Sequence, residues 1–198
     1  MSHGHGHGGD HAGINKNIAI LISILALGLA IAETLAKGSQ TASISSNVEA
    51  SNLWAFYQAK TIRQTTLKTA AEQMEIDVAL AKDATVKERL AKRVADWQAN
   101  AARYETEPAK GPKGENKGEG RKELRERAAE AEKARDLHAA KYHHYEVASA
   151  AFQIAIVLAS AYLIVGMIYL LWGAAALGVL GVVFSLIGQF APHAVHLF

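Results

Sequence analysis

The sequence predicts an all-α membrane protein with three transmembrane helices and a coiled-coil-like helical body between the first and the second. Three observations indicate this fold class. The stretch from Phe152 to Phe190 contains no Asp, Glu, Lys or Arg and is long enough to cross a bilayer twice. A second apolar stretch covers residues 17–36. Of the 21 Lys and Arg residues, all except Lys16 lie between Lys37 and Lys141, which predicts a solvated body in the middle of the chain.

The charge balance of the body excludes some classes of function. Of the 19 Asp and Glu residues, all except Asp10 and Glu33 lie between Glu49 and Glu146. Such mixed-sign charge is typical of a solvated helical surface, whereas a nucleic-acid interface needs clustered positive charge. The chain has no cysteine, which excludes disulfides and thiol chemistry. No nucleophile–base pattern and no phosphate-binding glycine loop is recognisable, so we expect a protein that is not an enzyme and has no cofactor.

Six segments follow in order along the chain. We predict a His- and Gly-rich tail at 1–16, the first transmembrane helix at 17–36, the charged body at 37–151, the second transmembrane helix at 152–172, a turn with the third transmembrane helix at 173–190, and a C-terminal tail at 191–198.

The first apolar segment has two interpretations. Its length suits a single crossing, but Ala30-Ile31-Ala32 also resembles the cleavage site of a signal peptide. The single Lys16 upstream favours an uncleaved span. Glu33 lies on a face of small residues near the end of this helix, and an ionisable residue at membrane depth suggests an ion or proton role. The alternative is a structural ion pair with Lys37, four residues on.

The outgoing half of the body shows coiled-coil-like spacing. Residues 38–51 are rich in Ser, Thr and Asn, so the helix is expected to loosen there and to restart at Ser51 or Asn52. Apolar residues then recur three and four positions apart, with a weak point at Lys82 to Thr85. Either the chain folds back at this point to form a three-helix body, or its tip projects to meet other subunits. The aromatic cluster at 53–57 fits either an interfacial belt or packing against the returning helix.

The returning half begins after a flexible loop. Residues 108–120 contain two Pro and several Gly, which predicts a connector. No Gly or Pro lies between Arg121 and Gly166, so one continuous helix is expected to run from the body into the second span. We expect the hairpin to turn at Gly173, with Trp172 as an interfacial anchor.

Small residues recur along the third span at helical spacing and form a seam suited to close helix contact. We define the seam by the residues Ala174, Gly178, Gly181, Ser185 and Gly188. The pattern fits contacts within one chain or between subunits. Because three spans offer little interior, we expect the seam to join subunits of a homo-oligomer.

Topology follows from the number of spans. Positive residues flank the body, which predicts a cytoplasmic body and an exoplasmic N-terminal tail. The tail contains His3, His5, His7 and His11, whose imidazoles suit Zn, Cu, Ni or Co; the alternative is a disordered tail without a metal. For the inner histidines, among them His143 and His144, we expect structural roles because their spacing does not suit a metal.

The run Asn47-Val-Glu-Ala-Ser-Asn-Leu-Trp-Ala-Phe-Tyr-Gln-Ala-Lys-Thr-Ile-Arg-Gln64, between an N-terminal span and a C-terminal hairpin, resembles a family of small bacterial membrane proteins. That family is the domain of unknown function 4337. The resemblance extends from about residue 14 to residue 190 and is most specific at 52–60. It implies a multi-pass protein of the bacterial inner membrane and implies no catalytic residue and no substrate.

Three hypotheses for the function remain. The first is an oligomeric membrane protein whose cytoplasmic body acts as a scaffold or interaction module, with lipid, further copies of the chain and a cytoplasmic protein as its partners and without nucleic acid. The second is a channel or transport component with a pore formed by oligomerised spans, to which Glu33 contributes. The third is a metal-binding protein that uses the N-terminal histidines.

Overall fold

A computed structural model describes the backbone of residues 9–108 and 118–194, and the side chains from residue 16 onward. Every regular element of these ranges is an α-helix. The helices are α1 (Gly9–Leu80), α2 (Ala84–Glu105), α3 (Arg121–Val165) and α4 (Ile168–Phe190). The described residues form two compact units, one from those up to Ile44 together with those from Arg135 onward, and one from those between Ser45 and Ala134. We call the first the hairpin unit and the second the body.

Three helices of the described ranges are long and apolar enough to cross a membrane: Lys16–Leu80, Arg121–Val165 and Ile168–Phe190. The number of spans predicted from the sequence is therefore matched by helices of suitable length and composition. The boundary predicted between the tail at 1–16 and the first span is not a helix start, because the backbone is already helical from Gly9.

The expected break between the first span and the body does not occur. Helix α1 continues through residues 38–51, and both Ser51 and Asn52 lie inside it, so neither caps a new helix. Packing explains the continuity, because Ala50 and Leu53 are buried in a cluster with residues of α3. Tertiary contacts of this kind outweigh the weak helix propensity of a Ser- and Thr-rich stretch.

The chain does turn at the predicted weak point. Helix α1 ends at Leu80, and Asp83 begins α2 as its N-cap. The Asp83 carboxylate accepts hydrogen bonds from the backbone N–H of Thr85 at 2.8 Å and of Val86 at 3.1 Å. These bonds satisfy two amides that the first turn of a helix leaves free.

Helix α2 returns alongside α1, so the body consists of three helices. The Gln98 amide of α2 donates to the Glu75 carboxylate of α1 at 2.7 Å. The Gln64 amide of α1 donates to the carbonyl oxygen of Ala101 in α2 at 3.0 Å. Of the two alternatives for the outgoing half, the structure thus has the folded-back arrangement.

Residues 109–117 of the predicted flexible loop lie outside the described residues. The two ends of the loop lie side by side, because the N–H of Glu119 donates to the carbonyl oxygen of Glu107 at 3.1 Å. Helix α3 then runs without interruption to Val165, as the absence of Gly and Pro predicted. The Trp54 and Tyr57 rings pack against the buried cluster that α1 and α3 form in the body. This contact favours packing over an interfacial belt for these aromatics.

The hairpin turns at Gly166, so the predicted turn at Gly173 is wrong. Gly166 has a φ of 73°, a left-handed conformation that glycine adopts without steric cost and that commonly ends a helix. Both Trp172 and Gly173 therefore lie inside α4 rather than at the turn. The 23 residues of α4 extend about 34 Å at 1.5 Å per residue, enough for one crossing.

Candidate functional site: the hairpin seam and the polar cluster of the body

The seam of small residues faces the helices of its own chain. Ala174, Gly178, Gly181 and Gly188 are buried, and the Ser185 hydroxyl donates to the carbonyl oxygen of Gly181 at 2.9 Å. Helices α1 and α3 cover this side of α4. The expectation that the seam joins subunits is therefore not supported, because the chain fills the seam itself.

The Phe152 ring of α3 occupies the centre of the seam. A Cβ added to Gly181 of α4 would lie 2.9 Å from atoms of this ring, and a Cβ added to Gly28 of α1 would lie equally close. Leu25 of α1 fills the next gap, 2.7 Å from the position of a Cβ at Gly178. Each of these distances is shorter than carbon–carbon contact allows. Glycines are therefore required here because large side chains of neighbouring helices occupy the space.

The end of α4 packs against two buried side chains of α3. His144 is 1% exposed, and its Nε2 lies 3.0 Å from the carbonyl oxygen of Pro192. The Tyr145 hydroxyl donates to the side-chain oxygen of Gln189 at 2.9 Å. Cβ of His144 and the ring of Tyr145 also lie against Gly188. The structural role expected for His144 agrees with this burial.

Glu33 interacts with α3. Its carboxylate accepts a hydrogen bond of 3.3 Å from the Gln153 amide, which also lies 3.4 Å from the Ser149 hydroxyl. The expected partner, Lys37, forms no ion pair with Glu33 within 4.0 Å among the described residues. The hydrogen bond between Gln153 and Glu33 joins α1 to α3.

The body is held together by a polar cluster around Arg121, the first residue of α3. Its guanidinium donates to the Tyr57 hydroxyl at 3.1 Å and to the Thr61 hydroxyl at 3.0 Å. It also donates to the Gln64 side-chain oxygen and, at 2.7 Å, to the Glu105 carboxylate. One side chain thus joins the three helices of the body. The planar, multiply donating guanidinium suits this role.

Glu105 responds electrostatically to this arrangement. The hydrogen bond from Gln64 lowers the pKa of the Glu105 carboxyl, and the positive charge of Arg121 adds to the effect. The slight desolvation of this exposed carboxylate acts in the opposite direction, but the pKa is lowered on balance.

Lys60 lies beside this cluster and is buried. Its ammonium lies 3.4 Å from the Glu107 carboxylate and 3.8 Å from that of Glu119. The Phe56 and Tyr104 rings lie 5.4 and 5.8 Å from the ammonium, within the range of cation–π attraction. Because a buried charge needs compensation, the carboxylates and rings make this burial tolerable.

Gly120 allows the loop ends to close over the cluster. A Cβ at this position would collide with the Glu123 carboxylate and with the backbone nitrogen of Glu107. The sequence interpretation did not find this cluster, since its members are far apart in the chain. The stretch 52–60, the most specific part of the family resemblance, contains Lys60 and Tyr57. It was the part of the sequence that could have pointed to this cluster.

The predicted metal ligands His3, His5 and His7 lie outside the described residues, and His11 is placed only as backbone in α1. Among the side chains that the structure describes, no group of three or more His, Asp or Glu residues is arranged to hold a metal ion.

The fold and its two clusters define an all-helical protein with three helices able to cross a membrane. The particular family follows from comparison with known proteins: residues 14–191 match the domain of unknown function DUF4337, and the chain belongs to this family. The resemblance inferred from the sequence is thereby confirmed. No curated protein and no solved structure matches the chain.

Proposed function

We propose that the protein is an oligomeric integral protein of the bacterial inner membrane whose helical body acts as a scaffold or interaction module. In this proposal the body lies in the cytoplasm and the N-terminal tail on the exoplasmic side. The distribution of Lys and Arg supports this orientation, since nearly all of them belong to the segment between the first and second spans.

One observation carries the proposal: the body exposes large apolar side chains on α1. Ile62 is 67% exposed, Ile76 54% and Leu80 72%. These residues lie on a helix that already buries another face in the body. Exposed apolar side chains that recur along one helix are typical of an interaction surface.

The seam bears on the choice between a scaffold and a channel. A pore between subunits required the small residues of α4 to face other copies of the chain. They face Leu25, Phe152 and Tyr145 of the same chain instead. No described feature favours the channel or the metal-binding alternative over the scaffold.

Mass measurement of the full chain in lipid nanodiscs tests the oligomer. We expect a mass of at least two chains per disc, with the 21.2 kDa chain as the unit. A single chain per disc at all protein-to-lipid ratios would contradict the proposal.

Labelling of single cysteines tests the orientation, because the natural chain contains no cysteine. Glu88 is exposed on α2. We expect Glu88→Cys to react with a membrane-impermeant maleimide only after cells are permeabilised. Reaction in intact cells would place the body outside and overturn its assignment to the cytoplasm. The cysteine-free natural chain is the control for background labelling.

A further inference from the structure

The side chain of His144 joins α3 to the short turn that follows α4. Its Nε2 lies 3.0 Å from the carbonyl oxygen of Pro192. A carbonyl oxygen can only accept a hydrogen bond, so Nε2 must carry the proton of the neutral ring. Nδ1 then has a lone pair and no hydrogen. This atom is buried, and among the residues that the structure describes no group forms a hydrogen bond with it.

The buried Nδ1 makes this arrangement sensitive to protonation. In the neutral ring, a single acceptor atom is left without a partner. A second proton has to bind at Nδ1, because Nε2 already carries one. The ring then places an N–H donor and a positive charge where no described group accepts them. Burial of an unpaired charge costs far more than burial of an unpaired neutral acceptor. The position of the ring therefore accommodates neutral His144 and not the imidazolium ion.

Helix α4 and the turn cover His144 without supplying a negative charge. Helix α4 contains no Asp, Glu, Lys, Arg or His, and its Tyr169 lies at the opposite end. The Phe184 ring of α4 stacks on the imidazole, with the ring centroids 6.1 Å apart. A Cβ at Gly188 would lie 3.0 Å from Cβ of His144, so this helix packs directly against the side chain. The titratable group of the turn is His193, which cannot compensate a positive charge.

The charged groups of α3 and α1 do not pair with His144 either. Ala32 of α1 packs in one cluster with Ala148 of α3, one helical turn from His144. At this level the two helices contribute the following titratable side chains: Glu33, Lys37, His138, Lys141, Tyr142, His143, Tyr145 and Glu146. The carboxylates of Glu33 and Glu146 accept hydrogen bonds from other side chains. Within the described ranges, no carboxylate lies within 4.0 Å of a ring nitrogen of His144.

The turn is the weaker of the two covers over His144. Its residues 191–194 are largely exposed. A hydrogen bond of 2.9 Å from the N–H of Ala194 to the carbonyl oxygen of Ala191 closes the turn. In the part of the chain that the structure describes, the bond to His144 is the hydrogen bond that ties this turn to α3. Helix α4 is fixed by close packing along its small residues, so displacement of the turn opens a path to water at the smaller cost.

We propose that His144 is a proton-sensitive latch for the turn at residues 191–194. The neutral ring holds the turn against α3 through the hydrogen bond from Nε2 to Pro192. A proton from solvent that binds at Nδ1 makes the ring a cation, which turns toward water and releases the turn. Histidine ordinarily changes its charge between about pH 5 and 8, so the latch is closed at the upper end of this range and opens as the pH falls. This inference goes beyond the proposed scaffold and does not require an oligomer.

The mobility of a spin label on the turn tests the latch, since the natural chain has no cysteine. Ala194→Cys places the label on the turn of the full chain in lipid nanodiscs. We expect an immobilised label at about pH 8 and a rotational correlation time about threefold shorter at about pH 5. Glu88→Cys, which is exposed on α2, is the control and should give the same mobility at both pH values. A turn label whose mobility is the same at both pH values would overturn the inference.

Two histidine variants separate the latch from the exposed His193 of the turn. His144→Gln keeps an N–H donor for the carbonyl oxygen of Pro192 but takes up no proton. In this variant the label at position 194 should stay immobilised at both pH values. His193→Gln should retain the pH response of the natural chain. The latch is excluded if His144→Gln retains the response or if His193→Gln loses it.

Nuclear magnetic resonance of the natural chain supplies a readout that needs no substitution at His144. The nitrogen chemical shifts of the imidazole distinguish its two neutral tautomers. At about pH 8 we expect a proton on Nε2 and none on Nδ1, and at about pH 5 a proton on both together with loss of the hydrogen bond to Pro192. A proton on Nδ1 at the higher pH would contradict the proposal. So would a ring that stays bonded to Pro192 at the lower pH.

Discussion

The helices of the hairpin unit and those of the body are held together by different kinds of contact. In the hairpin unit, glycines at positions 28 and 181 let the Phe152 ring fit between α1 and α4. In the body, the Arg121 guanidinium joins α1, α2 and α3 through hydrogen bonds. A bilayer core contains no water that could satisfy polar groups. Helices that cross lipid pack through small residues, which permit close contact. A shielded polar cluster is tolerated where water can solvate the groups at its edge.

The comparison also separates folding surfaces from assembly surfaces. The small-residue seam would join subunits in many membrane proteins, but here its space is filled by Leu25 and Phe152 of the same chain. No residue that the structure describes covers the exposed apolar side chains of the body. Spacing alone does not tell which surface is internal, because internal and external helix contacts obey the same rules.

The largest expected effect comes from filling the seam. Gly181→Leu places a side chain where Phe152 already lies, and overpacking of this kind costs about 3 kcal/mol. We expect a loss of that size in the unfolding free energy, measured by denaturation with SDS in mixed micelles. Gly38→Leu is the matched control, since nothing lies within 4 Å of a Cβ at Gly38. Equal effects at the two glycines would contradict the assignment of Gly181 to a packed interior.

The polar cluster of the body should be the next most sensitive feature. Arg121→Ala removes hydrogen bonds to Tyr57, Thr61 and Glu105. Because the Arg121 side chain is 20% exposed, water compensates in part, and we expect a loss of about 2 kcal/mol. Chemical denaturation followed by circular dichroism measures it. Lys68→Ala, which removes an exposed cation of α1, should change stability by less than about 0.5 kcal/mol.

A smaller effect is expected at the turn between α1 and α2. Asp83→Ala removes the acceptor for two backbone amides and should cost about 1 kcal/mol. Asp83→Asn, which keeps an acceptor oxygen, should retain most of the stability. Hydrogen exchange of the first amides of α2 measures the change locally. If Thr85 and Val86 exchange no faster in the alanine variant, the cap contributes nothing to this turn.

The smallest expected effect is the pH dependence contributed by Glu105. Its pKa in the folded chain is lowered below the ordinary value of 4.5, so its contribution is present above about pH 4.5 and is lost as the pH falls through the folded pKa. Stability of the natural chain should therefore decrease below about pH 4.5 more steeply than that of Glu105→Gln. Glu126→Gln, which removes an exposed carboxylate, is the control. Identical acid profiles for the natural chain and Glu105→Gln would exclude this contribution.

The sequence was sufficient for the class of fold, because hydropathy is a local signal. It marked Lys82 to Thr85 as a weak point of the helix but did not decide between a fold-back and a projecting tip, and the N-cap at Asp83 is known only from the structure. It misplaced the hairpin turn, since Trp172-Gly173 imitates an interfacial anchor followed by a helix end. Gly166 was equally available, and only the backbone shows that its φ is positive. Gly173 is small for another reason, because Leu158 of α3 lies 3.3 Å from the position of its Cβ.

The polar cluster could not be predicted from local pattern. Arg121 lies 64 residues from Tyr57 and 57 from Gln64 in sequence, and Lys60 lies 47 residues from Glu107. Charged residues of these types usually occupy solvated helix faces, so their burial depends on a tertiary arrangement that periodicity does not encode. The seam could be predicted from the spacing of small residues in α4. The side chains of α1 and α3 that pack into it could not.

The mass of single complexes in nanodiscs tests the central claim most directly: the seam folds the chain and the body joins chains. We predict that the natural chain and Gly178→Ala remain oligomeric, whereas the double variant Ile62→Glu, Ile76→Glu is monomeric with unchanged helix content. The account would be contradicted if the double variant stayed oligomeric while Gly178→Ala became a folded monomer.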